Sequence, residues 1–150
     1  MPVPDASKLH SDIVFNITLA LGMAVRAKGC RFHQGDTQLL TSSGRYYYPD
    51  VMIVCQDNGD AYLEEHPCLI VEVLSKTAEG TDRGLKLEDY RKIETLQRYV
   101  LVEQVSKLVT VYARDASGWR VDFLEHSGEI DIPCLETTLR LEQIYAGLEF

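Results

Sequence analysis

The stretch CLIVEVLS, residues 68–75, is an almost unbroken apolar run rich in β-branched side chains. A strand with one wet face alternates apolar and polar residues, whereas a run like this is expected of a strand covered on both faces. Such a strand needs a layer of structure on either side, which points to an α/β or α+β architecture. Glu72 lies in the middle of the run, between Val71 and Val73. Strand alternation puts it on the same side as Ile70 and Leu74, so a simple exposed face does not account for it. A glutamate is rarely buried alone, because an unpaired charge in an apolar site is neutralised by a shifted pKa.

The rest of the chain supplies the layers. Residues 1–9 read as an arm. Over residues 10–28 the positions Ile13, Val14, Ile17, Leu21, Ala24 and Val25 follow helical spacing, and Gly29 fits the helix end. Residues 31–41 read as short strands broken at Gly35-Asp36, 42–45 as a turn, 46–55 as a strand and 56–67 as a polar loop. A helix is expected over 79–95. RYVLVE, KLVTVYAR and GWRVDFLE then read as three strands, and residues 139–148 as a closing helix. With 150 residues, no repeat and no linker, the chain is expected to form one domain, residues 1–150.

Composition narrows the function classes. The 45% apolar and 25% charged content is that of a soluble globular protein. The apolar segment at 13–25 is interrupted by Asn16 and Thr18 and is too short to span a bilayer, and no signal peptide is evident, so a cytoplasmic protein without membrane partners is expected. The four cysteines, Cys30, Cys55, Cys68 and Cys134, form no C-x-x-C pair. Free buried thiols in a reducing compartment are therefore expected, rather than a zinc site or a disulfide framework. A net charge of -8 opposes a broad nucleic-acid surface, so any such binding needs a local basic patch, a partner or a metal.

Three ionisable residues occupy positions that packing alone explains poorly. Asp50 stands behind Pro49 at the mouth of one core strand, Glu72 lies within another, and Lys86 lies on the following helix. Each has a bland reading: Asp50 as a turn residue, Glu72 as half of an ion pair, and Lys86 as a snorkelling lysine paired with Asp82. Two carboxylates on neighbouring strands, however, supply the hard oxygens that magnesium takes. Asp82, Lys86, Tyr90 and Ile93 share one helix face, while Glu88, Arg91 and Lys92 lie on the opposite, watery side. Lys76, Arg83, Arg91 and Lys92 are candidates for the local basic patch. Other chemistries fit less well. The segment 80–86 lacks the Gly-Lys-Ser/Thr ending of a phosphate loop, and His10, His33, His66 and His126 have no zinc spacing. Ser75 lacks a nucleophile elbow, and His10, at the start of the first helix, could approach the site but reads rather as a capping or surface residue.

YYPDVMIV, CLIVEVLS, DRGLKLEDY and RYVLVE, in that order, resemble the Uma-type restriction-endonuclease family, a branch of the PD-(D/E)xK nuclease superfamily. The resemblance covers roughly residues 8–148, including the closing LRLEQIYAGL. It implies a restriction-endonuclease-like fold, a central mixed β-sheet flanked by helices. It also implies an endonuclease hydrolysing DNA with Mg²⁺, or Mn²⁺, as cofactor. Asp50, Glu72 and Lys86 would be catalytic. Asp50, Glu72 and the backbone carbonyl of Val73 would hold the metal, with Asp82, Tyr90 and Ser75 in support. Lys86 would replace the lysine that the superfamily more often places two residues after the glutamate, where this chain has Leu74. The family's usual N-terminal segment before the first helix and its EYW motif are departures here, the latter reading QRYVLV. The alternatives are a catalytically silent nuclease-fold module for oligomerisation or protein binding, and a hydrolase of smaller phosphate esters. Exposed sheet edges suggest a homodimer.

Overall fold

The computed structural model describes residues 7–75 and 81–150, with side chains from residue 83 onward in the second stretch. In chain order the elements begin with α1 (Lys8–Ala27), β1 (Arg31–His33), β2 (Gln38–Leu40), β3 (Tyr46–Tyr47) and β4 (Val51–Val54). Next come β5 (Leu63–Glu64), β6 (Pro67–Val73), α2 (Thr81–Arg91), β7 (Arg98–Val102), β8 (Leu108–Asp115) and β9 (Gly118–Glu125). The chain closes with β10 (Glu129–Ile132), a 3-10 turn (Pro133–Leu135), β11 (Thr137–Arg140) and α3 (Leu141–Ile144).

Six strands form the central sheet in the order β1-β4-β6-β7-β8-β9, with β6 and β7 parallel and the other neighbours antiparallel. All seven residues of β6 are buried, as its unbroken apolar run requires. One face packs Val51, Ile53, Leu69 and Val71 against the α1 stripe Ile13, Ile17, Leu21 and Val25. On the other face, Met52, Val54 and Ile70 share a cluster with Tyr90 of α2 and with Ile93 and Leu96 just beyond it. This is the expected mixed sheet flanked by helices. The α1 helix starts where Ser7 accepts the His10 N–H, and ends as Gly29 takes φ +69°, a left-handed conformation that glycine adopts at little cost. Among the described residues no helix is long and apolar enough to cross a membrane.

The structure corrects several local expectations. Residues 46–55 are not one strand: β3 joins a separate three-stranded sheet with β2 and β5, and β4 enters the central sheet. Pro49 lacks a ladder donor and restricts Tyr48, so the chain turns between the two sheets there. The segment 56–67 is not all loop, because Leu63–Glu64 pairs in parallel with β2 and β6 already begins at Pro67. The second helix ends at Arg91, short of residue 95, in tight turns in which Lys92 N–H and Ile93 N–H bond the carbonyls of Asp89 and Tyr90; residues 79–80 lie outside the described residues. The closing helix is reduced to α3, because Leu139 is drawn into β11, opposite Ile130 of β10. The spacing of Leu139, Leu141 and Ile144 serves both structures, and pairing with β10 decides between them.

The cysteines are not free thiols. Cys30 is bonded to Cys55 and Cys68 to Cys134. The sequence hid this because the pairs are 25 and 66 residues apart and meet only once the sheet forms.

Candidate active site

The site lies where β4 begins and β6 ends. Antiparallel pairing sets Val51 opposite Val71, so one step further along both strands Asp50 faces Glu72. A side-chain-to-backbone bond ties the two strand ends together: the Val73 N–H donates to Asp50 Oδ2 at 2.8 Å. Pro49 therefore delivers Asp50 to a strand end whose backbone donor binds its carboxylate.

α2 brings in the next side chains. Lys86 Nζ lies 3.4 Å from Glu72 Oε2, and the Tyr90 hydroxyl donates to the same oxygen at 3.0 Å. From the other side of the sheet, His10 Nε2 at the start of α1 lies 3.1 Å from Asp50 Oδ1. His10, Asp50, Glu72, Ser75, Arg83 and Lys86 all line one cavity of about 140 Å³, together with Val73. Burial pushes the Glu72 carboxyl up to about 7; Lys86 pulls against that shift, and the neighbouring Asp50 charge adds to it. The phenol of Tyr90 is raised well above its usual range, first by burial and then by the charge of Glu72.

A second network fixes α2 against the small sheet. Arg45 donates from Nε and Nη2 to the two oxygens of Asp89 at 2.7 and 2.9 Å, and the Tyr47 hydroxyl also bonds Asp89. The Arg45 hydrogen bond holds the Asp89 carboxyl down at about 2 despite its burial, and burial lifts the Tyr47 phenol to about 12. Edge-to-face contacts continue from Tyr47 to Tyr90 and on to Tyr99, with ring centroids 5.3 and 4.9 Å apart. Lys86 thus rises from a helix whose rotation is set by packed aromatic rings.

The fold brings Asp50, Glu72, Lys86 and Tyr90 into one place. Arg91 and Lys92 are exposed and do not line the cavity; the Arg91 carbonyl accepts from Arg114, and Lys92 lies 3.8 Å from Glu88. Lys76 and the Asp82 side chain lie outside the described residues. His10, read from sequence as a capping or surface residue, instead turns its ring to Asp50, while its backbone N–H is the group that the cap satisfies. The available signal was its place one turn before Ile13 and Ile17, on the buried stripe. Arg45, Tyr47 and Asp89 were also missed, since a bidentate pair 44 residues apart leaves no spacing pattern.

Residues 1–142 match the family Uma2, described as "Putative restriction endonuclease". The chain belongs to this Uma2 family. Two relatives come from Synechocystis sp. The "Uncharacterized protein slr1290" is 28% identical over 148 residues, covering 96% of this chain and 78% of the relative. The "Uncharacterized protein sll1609" is 31% identical over 119 residues, covering 76% and 67%. Among solved structures, a "putative nuclease belonging to DUF820 from Anabaena variabilis" superposes with a TM-score of 0.73 over 97% of this chain and 83% of its own, at 14% identity. That likeness is one of fold: this Uma2 chain shares the mixed-sheet architecture of that structure.

Proposed function

We propose that this Uma2-family chain is a metal-dependent endonuclease that hydrolyses DNA phosphodiester bonds at the Asp50–Glu72 site. One observation carries the reading: two carboxylates face each other across β4 and β6 in a cavity, and a lysine from α2 points at one of them. The donor set suits a hard divalent cation, because both ligands are carboxylates and the raised Glu72 pKa marks a charge in need of a counterion. Asp50, Glu72 and the Val73 carbonyl would hold Mg²⁺ or Mn²⁺, which supplies a water of lowered pKa and charge neutralisation at the phosphate.

The chain's own groups do the rest. The Val73 N–H fixes Asp50 so that one carboxylate edge faces the cavity. Tyr90 keeps its proton, because its pKa is far above neutral, and so donates permanently to Glu72. Lys86 brings a positive charge to the cavity, where it would orient the attacking water and meet the charge that grows on the phosphate oxygens. Arg83 lines the same cavity and would contact a backbone phosphate. DNA as substrate, a cytoplasmic setting and a homodimer joined at an exposed sheet edge such as β9 belong to the same reading. Incubating supercoiled plasmid with Mg²⁺ or Mn²⁺ tests it. Wild type should nick the plasmid, EDTA should stop the reaction, and Glu72→Ala should abolish it. Equal nicking by wild type and Glu72→Ala would sink the proposal, and a folded wild type inert with either metal would favour the silent module.

A further inference from the structure

At the opposite end of β4 and β6 from the acids, all four cysteines converge. Cys30 and Cys55 stand one step beyond the Arg31/Val54 pair of the β1–β4 ladder, and their Cα atoms are 4.3 Å apart. Cys68 sits where the β4–β6 register shifts: Ile53 pairs with Leu69 and Val54 with Pro67, so Cys68 is the extra residue of a bulge. A bulge re-aims the side chain it carries. Here Cys68 meets Cys134, in the 3-10 turn between β10 and β11. The Sγ atoms of Cys55, Cys68 and Cys134 lie within 4.8 Å of one another, and Cys30 is bonded to the first of them. Between the two disulfides, Cys55 Sγ and Cys68 Sγ are 3.8 Å apart.

That distance is informative. A tetrahedral zinc with Zn–S bonds of about 2.3 Å sets its sulfurs about 3.8 Å apart. The unbonded pair thus matches one sulfur–sulfur edge of a tetrahedral thiolate site, and Cys30, outside the group of three, would swing in once released from Cys55. We propose that the reduced form of this cluster binds one Zn²⁺ through Cys30, Cys55, Cys68 and Cys134, and that the two disulfides are its metal-free oxidised form. Sulfur donors select soft and borderline cations, whereas the Asp50–Glu72 carboxylates select hard ones, so the chain would sort two metals by chemistry. The zinc would join β1, β4, β6 and the C-terminal hairpin, which the disulfides join in the oxidised form.

The interconversion balances. Reducing each disulfide takes two electrons and two protons from a dithiol reductant, which leaves as its own disulfide. Zinc then displaces four thiol protons. In reverse, each of two disulfide oxidants takes up two electrons and two protons and leaves as thiols, while the cluster closes into Cys30–Cys55 and Cys68–Cys134 and releases Zn²⁺. Cys55, Cys68 and Cys134 line a surface groove of about 570 Å³, which gives reagents access.

The test uses the full chain, reduced with a phosphine, desalted without oxygen and titrated with Co²⁺. One equivalent should produce tetrahedral visible bands and a thiolate-to-cobalt charge-transfer band, and one equivalent of Zn²⁺ should erase them. Zinc should also shield all four thiols from alkylation. A disulfide oxidant should release the metal and bring the thiol count to zero. Cys55→Ser, at an exposed position, should lose the charge-transfer intensity in proportion to the missing sulfur and bind Zn²⁺ at least tenfold more weakly. Glu72→Ala should leave the thiolate band untouched, which separates this centre from the carboxylate site. The proposal is overturned if reduced wild type shows no thiolate band, if four thiols remain alkylated at full rate with zinc present, or if Cys55→Ser and Cys134→Ser both bind cobalt as wild type does.

Discussion

Glu72 is the buried carboxylate of the site, and its pH dependence is open to measurement. Its carboxyl is raised from an ordinary value of 4.5 to about 7, first because it is buried. A raised folded-state pKa means that the folded protein holds the proton more tightly than the unfolded chain does. The resulting stabilisation is complete below pH 4.5 and is lost as pH rises through about 7. The metal-free protein should therefore melt at progressively lower temperature across that window, and Glu72→Gln should flatten the decline; parallel curves for the two proteins would refute this account. Lys86 has the opposite influence on the same group. Lys86→Met removes the cation that lowers the Glu72 pKa, so the acidic limb of any pH–rate profile should move to higher pH. The rate itself should fall by roughly 10²–10³-fold, the usual cost of losing one placed charge-stabilising donor. An unchanged limb in an active variant would mean that Lys86 does not sense Glu72. Asp50, Glu72 and Lys86 were legible in the sequence because each is a charge in an apolar setting. His10 was not, because half a buried stripe at a helix start looks the same whether it ends in a cap or in a site.

At the scale of elements, α2 decides where Lys86 points, and Asp89 decides where α2 sits. The carboxylate is buried and holds Arg45 and Tyr47 across the gap to β3, so its loss strands a phenol and a guanidinium that packed against it. Asp89→Ala should cost about 0.5–1.5 kcal/mol in chemical denaturation, the net range for a lost hydrogen bond, because the Arg45 side chain is 45% exposed and water can take its freed donors. On the proposed function it should also lower cleavage, with the loss expressed in kcat because the proposed ligands Asp50 and Glu72 stay in place. A variant with wild-type stability would show that the aromatic contacts alone hold the helix. The pH sign here is the reverse of that for Glu72. A carboxyl lowered from 3.8 to about 2 contributes stability above pH 3.8 and loses it as pH falls through about 2. A helix in this region was legible, as were α1 from its apolar spacing, β6 and the β7–β8–β9 series. The small sheet was not, because its strands are two or three residues long and draw stability from partners distant in sequence. The same reason hid β10 and β11, where alternation in EIDI and TTLR is too short to outweigh a helical reading of the leucines that follow.

Across the whole molecule, two chemically different centres occupy opposite ends of the same two strands. Along β6, Cys68 and Glu72 are four residues apart, about 13 Å at roughly 3.3 Å per residue. The cysteines show most plainly what a linear reading cannot see. Their sulfurs converge through a sheet register and a bulge, neither of which is written in local composition. Net charge acts at this scale too. With -8 overall, the proposed DNA substrate would have to be met by a few local cations, of which Arg83 lines the cavity and Arg91 and Lys92 stand exposed further along. Binding measured in Ca²⁺, which on the proposed function would occupy the carboxylates without supporting rapid turnover, should therefore depend only shallowly on salt. Two or three phosphate contacts at about 0.9 each give a slope of roughly -2 to -3 in log affinity against log monovalent salt. Arg83→Ala should reduce that slope by about one contact while leaving the melting temperature unchanged. Chelating the Ca²⁺ should weaken binding most at low salt, where repulsion between the uncovered acids and the phosphates is least screened. A slope near -6 would show a broad basic surface that this chain's composition does not contain, and would place the DNA contact somewhere other than the mouth of the Asp50–Glu72 cavity.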